Sequence, residues 1–109
     1  WVKDRGSVNL HYYWDGLLGK STGVRDILNE VVLLKSEVQP TSQSSESDPT
    51  AWSLESFKLA REKVYLDGNL KGGTSKQEAA PLPKHYGMES RKIGEKRIAL
   101  AGYRLANIL

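Results

Sequence analysis

Cysteine is absent from the 109 residues, which excludes disulfides, thiolate metal sites and cysteine nucleophiles together. Histidine is scarce: only His11 and His85 occur. Any metal site must draw on these two and on carboxylates. Neither histidine has a serine in a matching context, so no Ser-His-Asp arrangement can be built. No apolar run approaches the roughly 18 residues that cross a bilayer, and no charged-then-apolar leader opens the chain. No Asn-x-Ser/Thr acceptor occurs, so N-linked glycans have no site. The sequence begins at Trp1 rather than methionine, from which we expect a processed or partial polypeptide.

What remains is a composition for one small domain or part of a larger one, 39% hydrophobic and 27% charged, with apolar surface enough for a modest core. The net charge of +3 is unevenly spread. Residues 71–109 carry eight Lys/Arg against three Glu, whereas residues 36–50 carry three acids and no base. A basic terminal third attracts polyanions in general. A helix with a solvated basic face explains it more simply, and that reading is preferred.

The apolar spacing predicts an all-α chain. Asn9 is a good cap for a helix near 9–19, in which Leu10, Trp14, Leu17 and Leu18 recur at helical intervals. Val24, Ile27, Leu28, Val31, Leu34 and Val38 keep a period near 3.6 over 23–37. Asp48-Pro49 supplies a cap and a first-turn proline for a helix over 49–66, offering Trp52, Phe57, Ala60 and Val64 to a core. A last helix spans 84–109, with Ile98, Ala101, Leu105 and Ile108 as its stripe. The polar segment 39–48 reads as an exposed loop or mobile linker, and 69–80, rich in glycine, as a second loop. Gly72-Gly73-Thr74 lacks the lysine and preceding strand of a phosphate loop. Residues 1–8 read as an extended lead-in, and no strand pattern competes.

The stretch that carries chemistry is NLHYYWDGLL, residues 9–18. His11 and Asp15 stand four apart, so on a helix their side chains converge on one face. An imidazole nitrogen and a carboxylate at that spacing can share a zinc ion, or can be an ordinary surface pair. Tyr12, Tyr13 and Trp14 would hold the turn against a scaffold, with Trp14 pointing into the core. Tyr12 or Tyr13 could instead stack on a base. His85, after Pro83, has no partner at ligand spacing and reads as an exposed or helix-capping residue. Glu55, Glu62, Glu78, Glu89 and Glu95 fall on polar faces or in loops.

"VNLHYYWDGLLG", then "AWSLES" at 51–56, "PLPKHYGMESRKIGEKR" and "RIALAGYRLANIL", taken in order, resemble the C-terminal half of the S-one/P-one nuclease family. The family marks are N-L-H-x-x-W-D, W-x-x-E-S and a closing A-L-A-G-x-R-L-A. The resemblance covers nearly the whole chain apart from 39–48 and 69–80. It implies residues 1–109 as the C-terminal part of a single zinc-nuclease domain, with the all-α fold shared with zinc phospholipases C. It implies a three-zinc cleft, to one ion of which His11 and Asp15 give two ligands, the remaining ligands lying in an N-terminal half. It implies hydrolysis of phosphodiester bonds in single-stranded DNA or RNA, and of 3′-nucleotides, leaving 5′-phosphates, by a secreted or periplasmic protein with no membrane partner. Bacterial members fit the lack of cysteine and glycan sites better than fungal ones. In the family a terminal tryptophan also ligates zinc and is closely followed by a histidine. Position 6 is glycine here, so Trp1 is read as part of the lead-in.

The resemblance names no catalytic or substrate-binding residue within this stretch. Two alternatives stand beside the nuclease: a phospholipase C-like zinc hydrolase, and a non-catalytic helical fragment. With two ligands serving one ion, residues 1–109 alone are expected to be inactive and to expose an apolar patch on their helices.

Overall fold

The computed structural model describes residues 1–19 and 21–109. Four α-helices follow one another: α1 (Leu10–Asp15), α2 (Val24–Glu37), α3 (Pro49–Leu59) and α4 (Tyr86–Ile108). Their starts follow the capping chemistry. Asn9 Oδ1 accepts from the Tyr12 amide at 2.7 Å, and Asp48 Oδ1 from the Thr50 amide at 2.8 Å, just before Pro49. The helix expected over 9–19 is shorter, because the chain turns at Gly16, whose amide bonds back to Tyr12 O. The helix expected over 49–66 changes character. It widens into one π turn over Ala60–Val64, where the Tyr65 amide reaches Ala60 O, and it stops where Leu66 and Asp67 turn left-handed at φ 51° and 53°.

The strand-free expectation is corrected. The lead-in folds into β1 (Val2–Asp4) and β2 (Gly6–Val8), paired antiparallel with Val2 opposite Val8. A two-residue strand, β3 (Ala80–Pro81), lies parallel to β1, with Val2 opposite Ala80. Strands this short leave no periodicity to read. Yet they hold Val2 and Ala79, two of the few apolar residues buried among those described. The loop before β3 is anchored as well. Trp1 exchanges backbone hydrogen bonds with Gly73, its amino group giving to Gly73 O at 2.6 Å and its carbonyl accepting from Gly73 N at 2.9 Å. The Glu78 carboxylate takes the Thr74 hydroxyl and amide, which hold it below its ordinary value. A Cβ at Gly73 would lie 2.2 Å from Glu78 O, so the loop closes only around glycine there.

The 39–48 segment is exposed as expected, except at Ser44, but it is no free linker. A 3-10 turn at Ser42–Ser45 is strapped to the far end of α4. Tyr103 Oη gives to Val38 O at 2.8 Å, Arg104 Nε to Gln43 O at 3.1 Å, and Asn107 Nδ2 to Ser44 O at 2.9 Å. From α3, the Trp52 indole gives to Glu46 O at 2.8 Å. A low-complexity polar segment offers backbone carbonyls, and long side chains on α3 and α4 take them.

The stripe expected on α4 is also corrected. Ile98, Leu105 and Ile108 are exposed, and the helix buries Tyr86, Ser90 and Arg104 instead. Arg104 is 5% exposed. Its Nη2 lies 2.7 and 2.9 Å from the two oxygens of Glu55, and its guanidinium stands 5.3 Å over the Trp52 ring. Arg97 joins them, Nη1 to Glu55 Oε2 at 3.0 Å and Nη2 to Ser56 Oγ at 2.9 Å. The hydrogen bond from Arg104, and then that from Arg97, outweigh partial burial and hold the Glu55 carboxyl below its ordinary range. Meanwhile α2 presents Val24, Ile27, Leu28, Val31 and Val32 to solvent, and Phe57 of α3 is exposed too. The expected apolar patch is therefore present. No helix among the described residues is long and apolar enough to cross a membrane.

Glu55→Gln leaves the Arg104 charge shut away without its counter-ion and should cost about 3 kcal/mol in denaturant unfolding near neutral pH. Because the folded carboxyl titrates below its usual 4.5, the contribution of Glu55 is complete above that value and is lost as the pH falls through the lower folded value. The gap between wild type and variant should therefore narrow in acid, and a pH-independent gap would remove the charge argument. Gly73→Ala should destabilise more than its neighbour Gly72→Ala, whose Cβ meets nothing closer than Trp1 O at 3.3 Å. Equal melting temperatures for the two variants would contradict the tight closure at Gly73.

Candidate metal centre

A six-residue helix such as α1 cannot hold its shape alone, so its direction must come from what it lies on. It lies on the first half of α4. The Trp14 indole gives to Tyr86 Oη at 3.1 Å, and the two rings meet edge to face at 6.2 Å. The Tyr13 ring sits 6.0 Å from that of Tyr86. Below them α4 has little side chain. A Cβ on Gly87 would come within 3.2 Å of Tyr13 Oη, and Gly94 lies under Leu17 and Leu18. Arg91 Nη1 reaches Leu17 O at 3.4 Å just past the helix end. Burial pushes the Tyr86 hydroxyl up, against the hydrogen bond from Trp14, and pushes Tyr13 up against the opposing influence of the Ser90 hydroxyl. Both hydroxyls thus stay protonated at neutral pH and available as donors.

Tyr13 and Trp14 therefore have a mechanical explanation, and Trp14 turns inward as expected, whereas Tyr12 is exposed. On the outer side His11 Nε2 stands 3.2 Å from Asp15 Oδ2, with the two side chains 90% and 64% exposed. A pair so exposed adds at most about 1 kcal/mol to the fold. Two donors at 2.0–2.1 Å from a tetrahedral ion lie about 3.3 Å apart. The pair has the spacing of one edge of a zinc site, and its donor types suit that metal.

Among the described residues no three His, Asp or Glu side chains stand close enough to hold an ion together. His85 precedes α4 in a left-handed conformation and serves it with a carbonyl, which accepts from Glu89 N at 3.0 Å. The amino group and carbonyl of Trp1, the atoms by which a terminal tryptophan can bind metal, are both engaged by Gly73.

Sequence reasoning missed two residues. Glu55 was placed on a polar face, although Trp52, Glu55 and Ser56 share one side of α3 by their spacing of three and four. Tyr86 was passed over entirely, and its signal is faint: one aromatic at the start of a long helix, beside a glycine.

A family model described as S1/P1 Nuclease matches residues 1–109, the whole chain. No curated protein and no solved structure matches.

The seat of α1 separates two glycines of α4. Alanine is the better helix former by about 1 kcal/mol, and a Cβ at Gly94 meets Leu18 at an ordinary 3.6 Å. Gly94→Ala should raise the melting temperature. At Gly87 the same change crowds the Tyr13 hydroxyl, and the gain should shrink or reverse. Equal stabilisation at both positions would mean that α1 does not rest where described.

Proposed function

The chain belongs to the S1/P1 nuclease family, whose members are nuclease-type hydrolases, and we propose that it forms the C-terminal part of a zinc-dependent nuclease domain. On this reading it takes part in hydrolysing single-stranded DNA or RNA and 3′-nucleotides to leave 5′-phosphates. The supporting observation is the His11–Asp15 pair, 3.2 Å apart on the outer face of a turn whose inner face is locked by aromatic contacts. The imidazole Nε2 and the carboxylate Oδ2 are the donors. The remaining ligands lie elsewhere in the domain, in its N-terminal half. Zinc in such a site supplies Lewis acidity at a phosphate oxygen and a water that ionises near neutral pH.

The chain's own residues have holding and orienting roles. His11 and Asp15 bind the ion and move no proton. Trp14 and Tyr13 keep the turn from rotating. Beside α1 an open cavity of about 670 Å³ is walled by Arg5, Tyr12, Tyr13, Leu17 and Arg91, among others. Guanidinium groups beside phenol rings offer a phosphate backbone charge and a base a flat surface. The reading carries export from the cytoplasm with it, as a further part of the proposal.

In the full polypeptide His11→Ala should lose one zinc per chain and most turnover on a single-stranded oligonucleotide, with the helical circular dichroism unchanged. Full zinc content with undiminished turnover would refute the ligand role. Assayed alone, residues 1–109 should show no zinc-dependent turnover on single-stranded DNA or on a 3′-mononucleotide, since zinc sites need about three protein ligands for catalysis. Turnover above background would show that a third donor exists within the chain, and His85 would be the first to test.

A further inference from the structure

Tyr86 stands at a junction to which the proposed activity gives no role. Its hydroxyl accepts from the Trp14 indole at 3.1 Å and gives to Val64 O at 2.7 Å. The direction of both bonds is fixed. An indole N–H can only donate and a carbonyl can only accept, so the one tyrosine proton points at Val64 and a lone pair faces Trp14. The Val64 carbonyl needs that proton. It belongs to the last residue of the π turn, beyond which the chain turns left-handed at Leu66 and Asp67. The next amides go elsewhere: Gly68 and Leu70 bond to Tyr65 O, and Asn69 bonds to Leu66 O. Tyr86 itself is 5% exposed, so water is a poor substitute at this point.

Building on the metal reading above, we propose that Tyr86 is the positioning residue for the His11–Asp15 pair. A turn and a half of helix with no fully buried residue has one soft degree of freedom, rotation about its own axis. Rotation leaves His11 and Asp15 on a common face, so their mutual distance survives. What changes is the direction in which that face looks, and therefore whether the pair meets donors from the rest of the domain. Trp14 is the lever for that rotation, and the Tyr86 hydroxyl pins its end to a carbonyl of the π turn. The left-handed residues after the turn thus have a structural consequence at the candidate site: they leave Val64 O free for Tyr86.

Tyr86→Phe tests this in the full polypeptide, because it removes one oxygen and keeps the ring that packs on Tyr13 and Trp14. Amide hydrogen exchange at Gly16 and Leu17, which close α1, should quicken about fivefold to tenfold, as for the loss of one hydrogen bond, with exchange in the second half of α4 unchanged. Zinc affinity, read from the His11 ring signals in a titration with zinc alone, should fall about 10- to 100-fold, as for other groups that orient a ligand. Trp14→Phe removes the other end of the same bond, so the double variant should cost less than the sum of the two single ones. Unchanged exchange at Gly16 and Leu17 in Tyr86→Phe overturns the proposal, and so does an additive double variant. A wild-type His11 ring that ignores zinc overturns the metal reading instead, and the exchange data still decide the role of Tyr86.

Discussion

A guanidinium almost wholly withdrawn from water must find a counter-charge, and Arg104 finds it in Glu55. Removing a charge from water is costly unless its partners are close and well aligned. That requirement draws together three parts of the chain which few apolar contacts would unite. Glu55 brings α3. The Arg104 Nε takes Gln43 O and so brings the 3-10 turn. Trp52 covers the cation with its ring while its own indole fixes Glu46 O. With only Val2, Ala79 and Tyr86 as buried hydrophobic residues among those described, oriented polar contacts carry a share of the architecture that an aliphatic core usually carries.

The two halves of α4 divide the labour. Its second half, from Arg97 onward, is the receiving side of that ionic cluster. Its first half, from Tyr86 to Gly94, is a platform of small and aromatic residues on which α1 rests. One continuous 23-residue helix therefore relates the candidate metal ligands to the packing of α3, although nothing passes directly between them. The helix serves as a rigid ruler, and Gly87 and Gly94 on it are places where α1 and the residues just after it approach its backbone.

Much of this was legible in the sequence, and the reasons for the rest are specific. Helix starts were readable because Asn9 and Asp48 act locally, on amides two or three residues away. The convergence of His11 and Asp15 was readable because residues four apart lie on one face of a helix. The sheet was not: β1 gains its partners from Gly6–Val8 and from Ala80–Pro81, and strands of two or three residues carry no alternation. The 39–48 segment was misjudged because its own side chains are polar and unremarkable. What holds it comes from Tyr103, Arg104 and Asn107, some sixty residues on. The stripe expected on α4 failed for a related reason. Periodicity locates an apolar face but does not say whether any neighbour covers it, and here Arg104 lies buried while Leu105 faces water.

The pairing of the chain's beginning with its far side bears on the order of assembly. Trp1 waits for Gly73, and Trp14 waits for Tyr86, each across a gap of 72 residues. During synthesis the segment bearing His11 and Asp15 is made before the start of α4, on which it comes to rest. Closing so long a loop is entropically slow compared with winding α2 or α3. Within this stretch the candidate ligands thus owe their placement to contacts of long sequence separation, which form slowly.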